Sequence, residues 1–208
     1  MTKPLPALGA ALLVAFLVFA AFRAVSPLAA AEARARDLVH ALFAAPIPTR
    51  DDIALIVIEE TTLAQFPYRS PIDRGFLADL VNSLKALKPA AIGIDLLFDQ
   101  PTEQEKDWAL LDAIAAGDGA PVIVVTADEY DGLTTQQSDF LAAFTEEALT
   151  AQATLLQDPY NKISRGVPPP REIRGRSTPA LSVALARAAG AAPPEGGFDI
   201  AFAPTEGG

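Results

Sequence analysis

The feature that most constrains this chain is the run at 4–22, PLPALGAALLVAFLVFAAF, which is uncharged from end to end between Lys3 and Arg23. Coiled into a helix it spans roughly 28 Å at about 1.5 Å per residue, close to the ~30 Å hydrocarbon core of a bilayer. Such a segment must sit in lipid, be removed by cleavage, or be buried in a protein core. A secretory h-region is shorter, about 7–15 residues, and needs small residues at a cleavage site. Ala29, Ala30 and Ala31 are small, but they lie beyond Arg23 and Pro27. The run is therefore read as an uncleaved transmembrane helix over 4–22, in contact with membrane lipid. Flanking charges do not set its direction. Lys3 and the α-amino group stand on one side and Arg23, Arg34 and Arg36 on the other, which leans slightly against export of the C-terminal part.

Beyond it, 23–50 reads as a neck helix and linker. A helix over 26–45 offers Leu28, Val39, Leu42 and Phe43 as apolar contacts and stops at Pro46 and Pro48. From 51 to 208 strand and helix signals alternate. IALIVI at 53–58 is a β-branched apolar run, as expected of a strand covered on both faces. Ser70 as N-cap, Pro71 at the first helical position and Asp73 at the third open a helix. Its stripe is Phe76, Leu77, Leu80, Val81, Leu84 and Leu87, ended by Lys88-Pro89. A second strand follows at 90–98 (AAIGIDLLF). Thr102 with Glu105 then forms a capping box for a helix carrying Trp108, Leu111 and Ile114, and PVIVVT at 121–126 is a third strand.

Strand, helix, strand, helix, strand implies right-handed βαβ units. The fold class expected is α/β, a mostly parallel sheet with helices on both faces, preceded by the transmembrane helix. Later elements are fainter: a helix at 138–149, a short strand at 153–156, a loop at 160–176, a helix capped by 177–179 and running to Ala189, and a last strand at 198–202.

A formal net charge of -10 leaves no positive field to neutralise phosphates, so nucleic acid is not a partner. With no cysteine, disulfides, thiol catalysis and thiolate metal sites are excluded. P-loop, dinucleotide, nucleophile-elbow and zincin signatures are all missing, and the single histidine, His40, lies in the neck. No catalytic residue, metal or cofactor is assigned.

Two clusters remain. Ligands gather at the carboxyl ends of parallel strands. Those ends carry Glu59 and Glu60, Asp95 and Asp99, and Asp128 and Glu129. Close carboxylates either invite a divalent cation or solvate loop mouths and cap helices. The late loop is basic, with Lys162, Arg165, Arg171, Arg174 and Arg176. It suits an anion or lipid headgroups, or else pairing with the acidic strand ends, and the structural pairing is favoured. Arg74 stands in a first helical turn, where a cation is unfavourable unless a carboxylate meets it, so a defined ion pair is expected there.

Together these residues resemble a known family. IALIVIEETTL at 53–63, FPYRSPIDR at 66–74 and AIGIDLLF at 91–98 are similar to the CHASE sensory domain of the second type. Its pattern is an apolar strand ending in an acid, a Pro-x-x-Arg helix start (Pro71, Arg74) and a strand ending Asp-x-x-Phe (Asp95, Phe98). Glu59 departs from the usual aspartate. The polar loop before 178–186 also fits, so the resemblance runs from about Asp51 to the end. It implies a bacterial extracytoplasmic sensor on adenylate cyclases, histidine kinases or Ser/Thr kinases, lying in the periplasm or outside the cell. No catalysis is implied, and an undefined ligand is expected near Glu59, Arg74, Asp95 and Asp99. It also implies a chain that continues past Gly208. Two other readings stand beside it. One is a membrane-anchored hydrolase or phosphotransfer domain using the strand-end carboxylates with a divalent metal. The other is a scaffold that assembles as a homodimer through the neck helix.

Overall fold

The computed structural model describes residues 5–24, 26–45, 50–115, 117, 119–158 and 162–200. The expected helix stop at Pro46 and Pro48, Tyr160 in the late loop and the end of the last strand at Phe202 lie outside them. In chain order the helices are α1 (Leu5–Ala24), α2 (Ser26–Phe43), α3 (Glu60–Leu63), α4 (Arg74–Ala86), α5 (Gln104–Ile114), α6 (Thr135–Phe144) and α7 (Leu181–Ala188). The strands are β1 (Ile92–Ile94), β2 (Val122–Val125), β3 (Leu149–Ala151), β4 (Leu156–Gln157), β5 (Ser164–Val167), β6 (Arg171–Ile173), β7 (Arg176–Thr178) and β8 (Phe198–Asp199). The chain divides into two compact units, one containing α1 and α2, the larger formed by Leu55–Leu156 and Arg165–Asp199.

In the first unit, α1 is a 20-residue helix over the apolar run, as its Ala, Leu and Val content dictates. Within it the described side chains are those of Gly9 and 11–20, and the large apolar ones among them are 47–65% exposed. The expected membrane-crossing helix thus meets a difference. Among the described residues no helix is long and apolar enough to cross a membrane. The ten consecutive residues 11–20 would cover only about 15 Å of helix.

The larger unit is mixed α/β. β1, β2 and β3 form a parallel sheet in that order, with Ile92 opposite Val122 and Val124 opposite Thr150. Period-two alternation splits its side chains between two faces. Ile92, Ile94, Val122 and Val124 join Leu77, Ala78 and Val81 of α4 and Leu110, Ala113 and Ile114 of α5 in one buried core. α7 packs on all three strands from the other side. Gly93 permits that approach, because a Cβ there would lie 2.8 Å from Leu185 Cδ1. Helices therefore cover both faces, and one isolated parallel bridge, Gln152 with Ala180, lies outside the named strands. β6 with β7 and β5 with β8 pair antiparallel.

Several expectations are corrected. The 53–58 run forms no strand: Ile53, Leu55, Ile56 and Val57 are 51–85% exposed, and only Ile58 packs partly on the core. An apolar run becomes a strand only where a neighbouring edge takes its backbone bonds. The second strand shortens to Ile92–Ile94. The α4 start moves from Pro71 to Arg74, because the Asp73 carboxylate itself caps the helix by accepting from the Phe76 N–H at 3.0 Å. Thr102 makes no capping box with Glu105. Its N–H and Oγ1 donate instead to Asp107, at 2.9 and 2.7 Å. α6 begins earlier than expected, capped by a reciprocal Thr134–Gln137 box. Ala180, not 177–179, is the N-cap of α7. The short strand expected at 153–156 is replaced by β3 and β4, and the supposed loop at 160–176 contains β5 and β6. Leu87 and Trp108, read as helix contacts, are 78% and 57% exposed.

Candidate functional site

Arg74 is the first residue of α4 and is 2% exposed, the largest of the fully buried side chains. A guanidinium at a helix N-terminus is opposed by the macrodipole, so something specific must hold it. Aromatic faces supply part of the hold. Its Cζ lies 4.3 Å from the centroid of the Phe98 ring and 5.2 Å from that of Phe144, and those two rings meet each other at 5.3 Å. A desolvated cation over a ring face contributes about 2 kcal/mol. Nη2 donates to the Gln100 carbonyl at 3.1 Å, and Nε stands 3.5 Å from Asp107 Oδ1. That distance gives charge compensation without a hydrogen bond, and Nε has no hydrogen-bond partner among the described residues. Burial pulls the Arg74 pKa below the ordinary arginine value, while the charges of Asp107 and Asp99 oppose the shift.

Beside this cation lies a cavity of about 190 Å³ lined by Ser70, Pro71, Ile72, Arg74, Leu77 and the stretch 96–100. It sits where β1 runs out towards α5, at the carboxyl edge of the parallel sheet, the position at which such sheets bind ligands. Asp99 is on its wall and accepts from Gln137 Nε2 at 2.6 Å. Two of the four residues expected at a ligand site, Arg74 and Asp99, are thus brought together. The other two do not line the cavity. Asp95 is exposed just after β1. Glu59 is exposed as N-cap of the short α3, with only a long 3.4 Å contact from Thr61 Oγ1. The assumption behind Glu59 was a strand end, and that strand does not form. Among the described residues no group of three or more His, Asp or Glu side chains could hold a metal ion.

A second polar group ties α4 to α5 next to the cavity. Tyr68 Oη donates to Glu103 at 2.7 Å, and Lys106 Nζ donates to Asp73 at 2.6 Å and to Glu103 at 3.1 Å. These contacts push the Lys106 ammonium pKa well up, the Asp73 bond contributing most. Asp73 shifts the other way. Burial alone would raise its carboxyl, but Lys106 and the Phe76 N–H hold it below the ordinary aspartate range. No sequence signal gave this seam beyond the three-residue spacing of Glu103 and Lys106 on one helix face. The Arg74 partner was equally hidden, since Asp107 lies on the next helix.

Three of the five cations of the late basic loop are engaged structurally. Arg171 pairs with Asp128 at 3.0 Å and Asp131 at 2.5 Å, Arg174 with Glu129 and Asp139 at 2.8 Å each, and Arg176 donates to the Glu146 carbonyl at 2.7 Å. The favoured pairing with acidic strand ends is what occurs at Asp128 and Glu129.

The larger unit is thus an α/β domain with one buried cation at the wall of a small cavity. The model of the CHASE2 domain family matches residues 11–205, and the chain belongs to that family. CHASE2 domains are sensory, extracellular domains of receptors and are not catalytic. The match starts within the apolar segment and takes in the neck, well before the motifs at 53–98. No curated protein and no solved structure matches the chain.

Proposed function

We propose that the chain is the sensory input module of a transmembrane receptor of the adenylate cyclase, histidine kinase or Ser/Thr kinase type. The helix at 4–22 anchors it in the cell membrane, and the domain from 51 onward lies in the periplasm or outside the cell. A signal molecule binds in the Arg74–Asp99 cavity and shifts the α4–α5 pair, and membrane helices relay that shift. Such a ligand acts only through its differential affinity for the two states. The observation that carries the reading is the family match over 11–205. The 47–65% exposure of apolar side chains on α1 supports lipid as its solvent. On α2, Leu38, Val39, Leu42 and Phe43 are 55–80% exposed, which supports a homodimer through the neck.

The test of the cavity is a thermal-shift screen of the full chain in detergent micelles against pools of small metabolites. Leu97→Trp, placed on the cavity wall, serves as the filled-cavity control. Pools that raise Tm in the unaltered chain should lose their effect in the variant. Shifts of equal size in both proteins would place binding elsewhere and sink the cavity as the input site.

A further inference from the structure

The cavity presents opposite charges whose hydrogen-bonding capacity is incompletely used. Arg74 lines the cavity at 2% exposure, its Cζ 4.3 Å from the Phe98 centroid and 5.2 Å from that of Phe144, and its N–H groups are what it can offer for recognition. Of those donors, Nη2 reaches the Gln100 carbonyl, and buried Nε has no hydrogen-bond partner among the described residues. A guanidinium can donate the two parallel bonds that a carboxylate accepts. Asp99 uses Oδ2 for Gln137. It forms no ion pair with Arg74, although both line the same cavity.

The charge balance selects among ligand classes. A simple anion would meet Arg74 but also Asp99, with Asp107 behind. A simple cation would meet Asp99 and be repelled by Arg74. A dipolar ion satisfies both at once. Beside the polar Ser70 and Gln100, the wall carries Ile72, Leu77 and Leu96, against which a short aliphatic group can pack. At about 190 Å³ the space falls below the roughly 300–1,000 Å³ of drug-sized pockets, which limits the ligand to a few heavy atoms.

We infer that the Arg74–Asp99 cavity binds a small aliphatic α-amino acid as its zwitterion, carboxylate on Arg74 and ammonium on Asp99. This rests on the sensory reading above and names the ligand class of that site.

Titration calorimetry on the full chain in detergent micelles, with L-alanine, propionate and ethylamine as separate probes, tests it. Alanine is expected to bind, with propionate and ethylamine each weaker by roughly tenfold or more. Asp99→Asn keeps the shape of a half-buried side chain and is expected to weaken alanine roughly tenfold while leaving propionate as tight or tighter, since the like charge facing that anion is gone. Its melting curve, matched to the parent, guards against misfolding, and Leu97→Trp is expected to abolish alanine binding. Propionate binding as tightly as alanine, or alanine binding that survives Asp99→Asn or Leu97→Trp, overturns the zwitterion assignment. If alanine fails to bind while metabolite pools still give a shift that Leu97→Trp removes, the ligand class is wrong and the input site stands. If those pools also fail, both fall.

Discussion

Removing Asp107 tests how Arg74 is held. In Asp107→Ala the guanidinium stays buried at 2% exposure but loses its nearest counter-charge, 3.5 Å away. The Thr102 N–H and hydroxyl lose their acceptor as well. Breaking a buried pair from one side costs about 3–5 kcal/mol, because an uncompensated charge is left behind. The two bonds to a charged acceptor contribute roughly 1.5–3 kcal/mol each, an overlapping loss that does not simply add. We therefore expect a loss of about 3–5 kcal/mol, which for a chain of this length lowers Tm by roughly 6–20 °C. Thermal and urea melts of the parent, Asp107→Ala and the exposed control Asp112→Ala measure it. The double variant Arg74→Met/Asp107→Ala should be more stable than Asp107→Ala alone, since it removes the stranded charge. If Asp107→Ala melts with Asp112→Ala, within about 0.5 kcal/mol of the parent, the buried pair has no energetic role and the reasoning fails.

Acid should weaken the fold. The carboxyls of Asp73 and Asp128 are held below 3.8. Burial opposes this in each, but it is outweighed by Lys106, the Phe76 N–H and Tyr68 together at Asp73, and by Arg171 with the Tyr130 N–H and Asp131 at Asp128. The unfolded chain then binds protons that the folded one refuses, so this stability is complete well above 3.8 and drains as pH falls through and below it. Urea midpoints taken from about pH 7 to about pH 3 should decline, and less steeply in Asp73→Asn; a flat profile in the parent contradicts the assignment. Gly93→Ala places a methyl 2.8 Å from Leu185 Cδ1 and should cost about 1–3 kcal/mol, part of it recovered by adding Leu185→Ala. Leu55→Lys, at a side chain 85% exposed, should leave the urea midpoint within about 0.5 kcal/mol, whereas a buried strand at 53–58 would lose several times that.

How far each element was legible in the sequence depends on how local its signal is. The α4 stripe and the apolar β2 run report their own burial within a few residues, so the α/β class and a sheet covered on both faces could be read directly. Arg74 was also legible, as a cation at an unfavourable helix position that demanded a partner. The partner was not, because Asp107 lies on α5 and nothing local marks one carboxylate on that helix over another. Phe98 was readable as the end of a motif but not as the ring beneath a guanidinium. The 53–58 run failed for a general reason: composition measures the wish to be buried, and only the fold decides whether an edge is there to meet it. Glu59, read as the end of that strand, instead stands as the N-cap of α3. Asp73 illustrates a subtler loss, in which two acceptable caps stood three residues apart and the carboxylate prevailed over Ser70.

The central claim, an extracytoplasmic sensory domain, is tested most directly by accessibility to a thiol reagent that does not cross membranes. The chain has no cysteine, so Leu87→Cys, at a position 78% exposed, introduces the only thiol. Intact spheroplasts expressing the variant should be labelled as fully as lysed ones. Labelling that appears only after lysis would place the domain in the cytoplasm and contradict the account.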